Sequence, residues 1–146
     1  MNIDTIESEF FVFLDKAWAL EDVSPFLRSY VRLLLVFKHE LSLIEIDALL
    51  ERQRQLADNR LAADSFSELT AALREKLNRH LSRNESGSRE EALNRLLFSA
   101  FLDSTESDFF YLVEPMFDFA RRMGVNPEVL KDVLEEEFPG FAITDS

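Results

Sequence analysis

Apolar residues recur along this chain at helical spacing almost from end to end, and polar residues with helix-starting chemistry interrupt them at regular intervals. Ile3, Ile6, Phe10, Phe13, Ala17 and Leu20 follow one helix face and Phe11, Leu14 and Trp18 widen it, which predicts a mostly buried first helix over residues 3–21. The stretch SPFLRSYVRLLLVFKHE then offers Ser24 as N-cap and Pro25 at the first helical position, where a missing N–H costs nothing, so a second helix is expected over about 25–40. Ser42 and Glu45 have the spacing of a capping box, in which the hydroxyl and the carboxylate each take an orphan backbone N–H. That starts a third helix, expected to reach about Asn59. Ser65 with Glu68 and Ser88 with Glu91 repeat the device and start helices four and five. The polar link SRNESGS between those two, with Gly87, is the internal segment expected to move most.

The sixth helix should begin near Thr105 or Glu106 and end at Gly124, a residue free of Cβ strain in the left-handed conformation that closes a helix. Arg121 and Arg122 fall in its last turn, where cations complement the helix dipole. Pro115 lies inside the pattern and predicts a kink or a short break. Leu112, Val113, Met116, Phe117, Ala120 and Met123 form one broad face with Phe109, while Phe110 and Phe119 flank it, so this helix is apolar nearly all round. Two readings of that face stay open: the centre of the core, or in part a groove for a partner. Asn126 and Pro127 open a seventh helix to about Phe138, Pro139 and Gly140 close it, and residues 139–146 are expected to fray.

A chain of 146 residues with 47% hydrophobic and 30% charged residues, only three glycines and four prolines, supports a sizeable core and favours helices over a turn-rich β fold. The expected architecture is therefore all-α: a single compact domain, residues 1–146, of six or seven helices packed around helices two, five and six. No apolar run approaches the length of a bilayer span, and the acidic start MNIDTIESEF lacks the basic region of a secretory signal. With no cysteine to suggest an oxidising compartment, a soluble cytoplasmic protein is the expectation.

Charge sharpens the picture. Residues 1–50 hold nine acids against four bases, residues 51–95 eight against nine, and residues 96–146 eleven against three, within a net charge of -12. Such a surface repels nucleic-acid phosphates and anionic lipid, so neither nucleic-acid binding nor membrane insertion is expected. The acids either keep the protein soluble or face a basic partner. On the second reading Asp118, Asp132, Glu135, Glu136 and Glu137 are the candidate partner-binding residues, although the run Glu135 to Glu137 also fits a solvated helix end.

Little in the sequence points to a reaction. The absent cysteines remove thiol nucleophiles and thiolate metal sites. The two histidines, His39 and His80, have Val36 and Leu77 three residues before them, so neither forms the Glu-x-x-His ligand pair of di-iron bundles or a His-Glu-x-x-His zinc motif. Three scattered glycines build no phosphate-cradling loop and no Gly-x-Ser-x-Gly elbow. Arg74, Lys76, Arg79 and Arg83 make a basic strip in this acidic chain, either paired internally and solvated or used as a contact site.

Helices two and three, and again five and six, read as two copies of one device: an apolar helix, a short polar link, then a helix opening on acids. YVRLLLVFKHELSLIEIDALL and ALNRLLFSAFLDSTESDFFYLVEPMFDFARRMGVNPEVL carry it. Over roughly residues 26–135 this resembles the tellurite-resistance TerB-like helical domains, which also occur at the N-terminus of some membrane-anchored J-domain cochaperones. Asp103 matches the aspartate of the family's Ala-x-Asp-Gly, Gly124 and Val125 match its closing turn, and Glu45 stands for the helix-opening acid of the first copy. Ser104 replaces the family's glycine, and His39 and Glu40 replace the first Asp-Gly. The resemblance implies two helix-pair quasi-repeats and metal-binding acids, for which Asp103, Glu106 and Asp108 are the candidates. Without a nearby histidine or a full acid set, the implied divalent-metal site is weak and oxygen-only.

Two functional expectations follow. The first is a non-catalytic acidic protein-interaction module with no cofactor, an inhibitor or immunity protein or a stress-defence protein that binds a basic partner. The alternative is a TerB-like, metal-associated stress-response protein. A hydrolase using clustered carboxylates is the least favoured class, because spacing alone gives such pairs no specificity. Oligomeric state is not encoded in any of these patterns.

Overall fold

The structure, a computed structural model, describes residues 1–16, 23–58, 63–85, 87–101 and 110–143. Among these residues there are seven α-helices and no strand: α1 (Ile3–Lys16), α2 (Ser24–Val36), α3 (Leu43–Ala57), α4 (Ser67–Ser82), α5 (Arg89–Ala100), α6 (Phe110–Met123) and α7 (Pro127–Glu137). Two 3-10 turns, Lys38–Glu40 and Ala63–Phe66, precede α3 and α4. None of the described helices is long and apolar enough to cross a membrane.

The capping chemistry places most of the helix starts. Ser42 Oγ accepts from Glu45 N at 3.1 Å while Glu45 Oε1 accepts from Ser42 N at 2.9 Å, so the box opening α3 is complete. Asn126 Oδ1 takes Glu128 N at 2.8 Å and Pro127 fills the first position of α7. At α5 only half of the box forms: Ser88 Oγ takes Glu91 N, but the Glu91 carboxylate turns to Arg95 at 2.8 Å.

Two starts differ from the sequence expectation. At α2 the cap residue is Val23, whose carbonyl already accepts from Phe26 and Leu27, so Ser24 is the first helical residue and is buried. At α4 Ser65 is not a cap. The chain enters through the 3-10 turn because Phe66 is drawn inward onto Phe101, with ring centroids 4.7 Å apart.

Of the kink or short break expected at Pro115, the break does not occur: α6 runs from Phe110 to Met123 through the proline. Leu112, next to the Tyr111 carbonyl that loses its i+4 donor to the proline, is held by the buried Tyr30 hydroxyl, which donates to the Leu112 carbonyl from α2. Of the tail expected to fray, residues 139–143 are packed: Phe141 is buried against Phe10 and Phe13, and Ile143 N donates to Glu135 Oε2 at 2.8 Å, while residues 144–146 lie outside the described residues. Residues 17–21 of the expected first helix and the start expected for helix six near Thr105 lie outside the described residues.

α5 is the hub, packing on α2, α4 and α6, while α2 also packs on α3 and α7, and α1 lies across α6 and α7. Both expected helix pairs, α2 with α3 and α5 with α6, are thus formed and joined through α2 and α5. The open question about α6 resolves toward the core: Leu112, Val113, Met116, Phe117, Phe119, Ala120 and Met123 are all buried in one continuous cluster. Phe10 sits at a ring junction in that cluster, 4.9 Å from Phe138 and 5.2 Å from Phe141 with edge-to-face geometry. The α4–α5 link is tied to α6 because Arg122 donates to the Gly87 carbonyl. Gly87 has φ +86°, and a Cβ there would press within 3.1 Å of the guanidinium.

Candidate functional site

The same packing that buries Phe66 leaves an open groove of about 620 Å³ between the start of α3 and the first half of α4. Ile44 and Ala48, one turn apart, form its α3 side, Leu69 and Ala72 form its α4 side, and Phe66 lies at the base. The capping box fixes this end of α3. Glu45 is consequently held by its own helix start, with its other oxygen 3.7 Å from Lys76 Nζ on α4. Glu68, in the first turn of α4, stands exposed at the rim. Ile44 on the groove's α3 side is 74% exposed, and its sequence neighbour Leu43, outside the groove lining, is 79% exposed. Such a surface takes up an apolar side chain and favours a positive flank beside it. No histidine lines it.

The acids expected to meet a partner are placed quite differently from a free anionic face. Glu137 accepts from Arg28 Nε at 2.7 Å and from Arg32 at 3.2 Å, tying α7 to α2. Glu136 pairs with the same Arg32 at 2.6 Å. Glu135 binds Lys131 at 3.4 Å and, through its other oxygen, the tail at Ile143. Asp118 pairs with Arg122 at 2.7 Å. Only Asp132 of this set is exposed without an ion pair among the described residues; the hydrogen bond that Lys131 donates to Glu135 is the largest cause raising the lysine's pKa, and the charges of Glu135, Glu128 and Asp132 add to it. The cations that occupy Glu136 and Glu137 lie on α2, about a hundred positions earlier, which local spacing does not reveal.

Asp103, Glu106 and Asp108 lie outside the described residues. Among the described residues no group of three or more His, Asp or Glu is arranged to hold a metal ion. His39 is exposed beside Glu40, at 3.5 Å. Glu40 is gripped through both oxygens by Arg89, and that hydrogen bonding holds its carboxyl below the usual range despite some desolvation. Of the basic strip, Arg74 lies over the Phe98 ring at 5.6 Å and Lys76 approaches Glu45, whereas Arg79 and Arg83 border a second pocket with the buried His80.

Compared with protein-family models, with curated protein sequences and with solved structures, the chain matches none.

Proposed function

We propose that this protein is a non-catalytic acidic interaction module, and that it takes a basic protein segment into the groove between α3 and α4. The observation that carries this reading is the exposure of Ile44 on the wall of an apolar groove, with Leu43 exposed next to it in sequence. A helix start already fixed by Ser42 and Glu45 has no need of large aliphatic residues in its first turn. Contiguous exposed apolar surface with a polar rim is the usual mark of a protein contact. Electrostatics supports a basic partner: a net charge of -12 steers cationic surfaces toward the molecule, and Glu68 offers a carboxylate at the rim. An inhibitor or immunity protein directed at a basic toxin or nuclease fits the same surface.

The test is capture from native cell extract with the full chain as bait, at low and at high salt, beside an Ile44→Asp bait. A cationic protein retained by the wild type at low salt, weakened by salt and lost with Ile44→Asp, is the expected result. Equal recovery on both baits would remove the groove from the interface.

A further inference from the structure

Along α4 and its C-cap, Lys76, Arg79, His80 and Arg83 recur at helical spacing and line a pocket of about 210 Å³ together with Glu85 and Glu90. In a chain with 28 acids and 16 bases an arginine would ordinarily find a carboxylate. Yet neither the Arg79 nor the Arg83 guanidinium forms an ion pair among the described residues, and neither does Glu90. Opposite charges thus face one another across a space that they do not close.

The base of the pocket is built rather than incidental. His80 is 6% exposed and Asn94 5%, and their side chains meet at 3.0 Å, Asn94 Nδ2 to His80 Nε2. With the amide donating, Nε2 is the acceptor and the ring proton lies on Nδ1. That Nδ1 has no hydrogen-bond partner, and Glu85 Oε2 stands 3.8 Å away. Buried donors normally find an acceptor, so Nδ1 is an unsatisfied polar atom at the base of a charged pocket.

We propose that this pocket is a binding site for a small zwitterion of the α-amino-acid class. The ligand's carboxylate sits between Arg79 and Arg83, whose guanidinium forks match carboxylate geometry. Its ammonium sits toward Glu85 and Glu90, and drawing Glu85 inward closes the gap to His80. An anion alone would leave both carboxylates opposed to it, and a cation alone would leave both arginines so. The volume is below the roughly 300–1,000 Å³ of pockets for drug-sized ligands, which limits the occupant to a small molecule. Lys76 and Glu90 also line a neighbouring depression of about 400 Å³ with Glu40 and Arg89, which gives the ligand's side chain somewhere to extend. This site is separate from the α3–α4 groove apart from the shared Lys76.

Calorimetric titration of the full chain with the common free L-amino acids, their N-acetyl and carboxamide derivatives, and inorganic phosphate tests the proposal. At least one free amino acid should bind with a Kd of about 1 mM or tighter, and each charge-deleted derivative should bind about tenfold or more weakly. Arg79→Ala combined with Arg83→Ala should abolish the signal with helicity unchanged, since both side chains are exposed. Glu90→Gln should weaken it separately. Should the double variant fail to fold, the charge-deleted ligands decide the matter on the wild-type chain. Absence of saturable binding by any amino acid, equal binding of phosphate or of the N-acetyl derivative, or binding that survives the double replacement would overturn it.

Discussion

Arg28 Nε donates to Glu137 Oε1 at 2.7 Å, and this pair joins α2 to the last turn of α7 across 109 positions of sequence. The carboxylate is mostly covered, at 15% side-chain exposure, and its second oxygen takes Arg32. Neighbouring Glu136, at 63%, pairs with Arg32 from the outside. Coverage decides the energetic difference between them. Glu137→Ala should lower stability by about 1.5–3 kcal/mol, the range for a hydrogen-bonded charge in a partly covered site. Glu136→Ala should fall within about 0.5 kcal/mol of wild type, because exposed pairs are screened and pay side-chain entropy. Urea unfolding of the two variants checks the ordering, and equal losses would show that Glu137 is solvated like its neighbour.

Tyr30 gives the fold a defined alkaline limit. Burial raises its pKa well above the ordinary value of 10.0, because the phenolate would lose its solvation inside the core. The unfolded chain therefore releases this proton at lower pH than the folded chain. Stability from this group is fully present below about pH 10 and declines as pH rises above it. Tyr30→Phe should lose about 1 kcal/mol at neutral pH with the hydrogen bond to Leu112, yet show a shallower decline above about pH 10. Melting temperatures of both proteins across that range make the comparison. Parallel declines would assign the alkaline limit to other groups.

Pro115 offers a test in the opposite direction. It sits within α6, leaving the Tyr111 carbonyl without its i+4 donor, and the helix nonetheless continues. Replacing a helix-interior proline restores the donor and relieves ring crowding. Pro115→Ala should therefore stabilise the protein by about 1–3 kcal/mol, measured by chemical denaturation. A loss of stability would mean that the packing of Phe117 and Phe119 depends on a bend the proline supplies.

The sequence made the helices legible where the deciding chemistry is local. The Ser42–Glu45 box and the Asn126 cap on Glu128 N, with Pro127 at the first helical position, are contacts within three residues, and both formed as their spacing implies. Ser65 with Glu68 shows the same letters, but Phe66 is pulled onto Phe101 just past the end of α5, and a tertiary contact overrode a capping signal. Likewise the Glu135 to Glu137 run reads as a solvated or partner-facing end until Arg28 and Arg32 are brought to it by the packing of α2 on α7. The α3–α4 groove was illegible for a related reason. Leu43 and Ile44 look like ordinary members of an apolar pattern, and only the placement of α4 shows which of the apolar residues the core leaves uncovered.

The docked tail makes a further prediction. Phe141 is 5% exposed and packs edge-to-face on Phe10, beyond the turn that Pro139 and Gly140 make. Phe141→Ala should cost about 3 kcal/mol, comparable with a core phenylalanine, and Phe138→Ala about as much. Asp118→Ala, which leaves a partly exposed Arg122 still bound to Gly87, should cost under about 1 kcal/mol. If Phe141→Ala matches the Asp118 variant, the segment after Pro139 lies only loosely on the core.

Because Glu135, Glu136 and Glu137 are already paired with cations of this chain, a basic partner cannot be tested by reversing the acids together. Converting Asp132, Glu135 and Glu136 to lysine together would set new cations beside Lys131 and Arg32 and release Ile143 from Glu135, mixing stability with binding. Asp132→Lys alone is clean, because Asp132 is exposed and holds no ion pair among the described residues. Stability should stay within about 0.5 kcal/mol of wild type. Its effect on a partner seated in the α3–α4 groove should appear in the association rate and weaken as salt screens the field over about 8–10 Å, with dissociation nearly unchanged. Ile44→Asp should do the reverse: it removes an apolar anchor that acts after contact, so dissociation accelerates while the salt dependence of association remains. Surface-plasmon measurements of both variants at two salt concentrations separate the roles. A large change in dissociation for Asp132→Lys, with none for Ile44→Asp, would place the interface on α7 and off the groove.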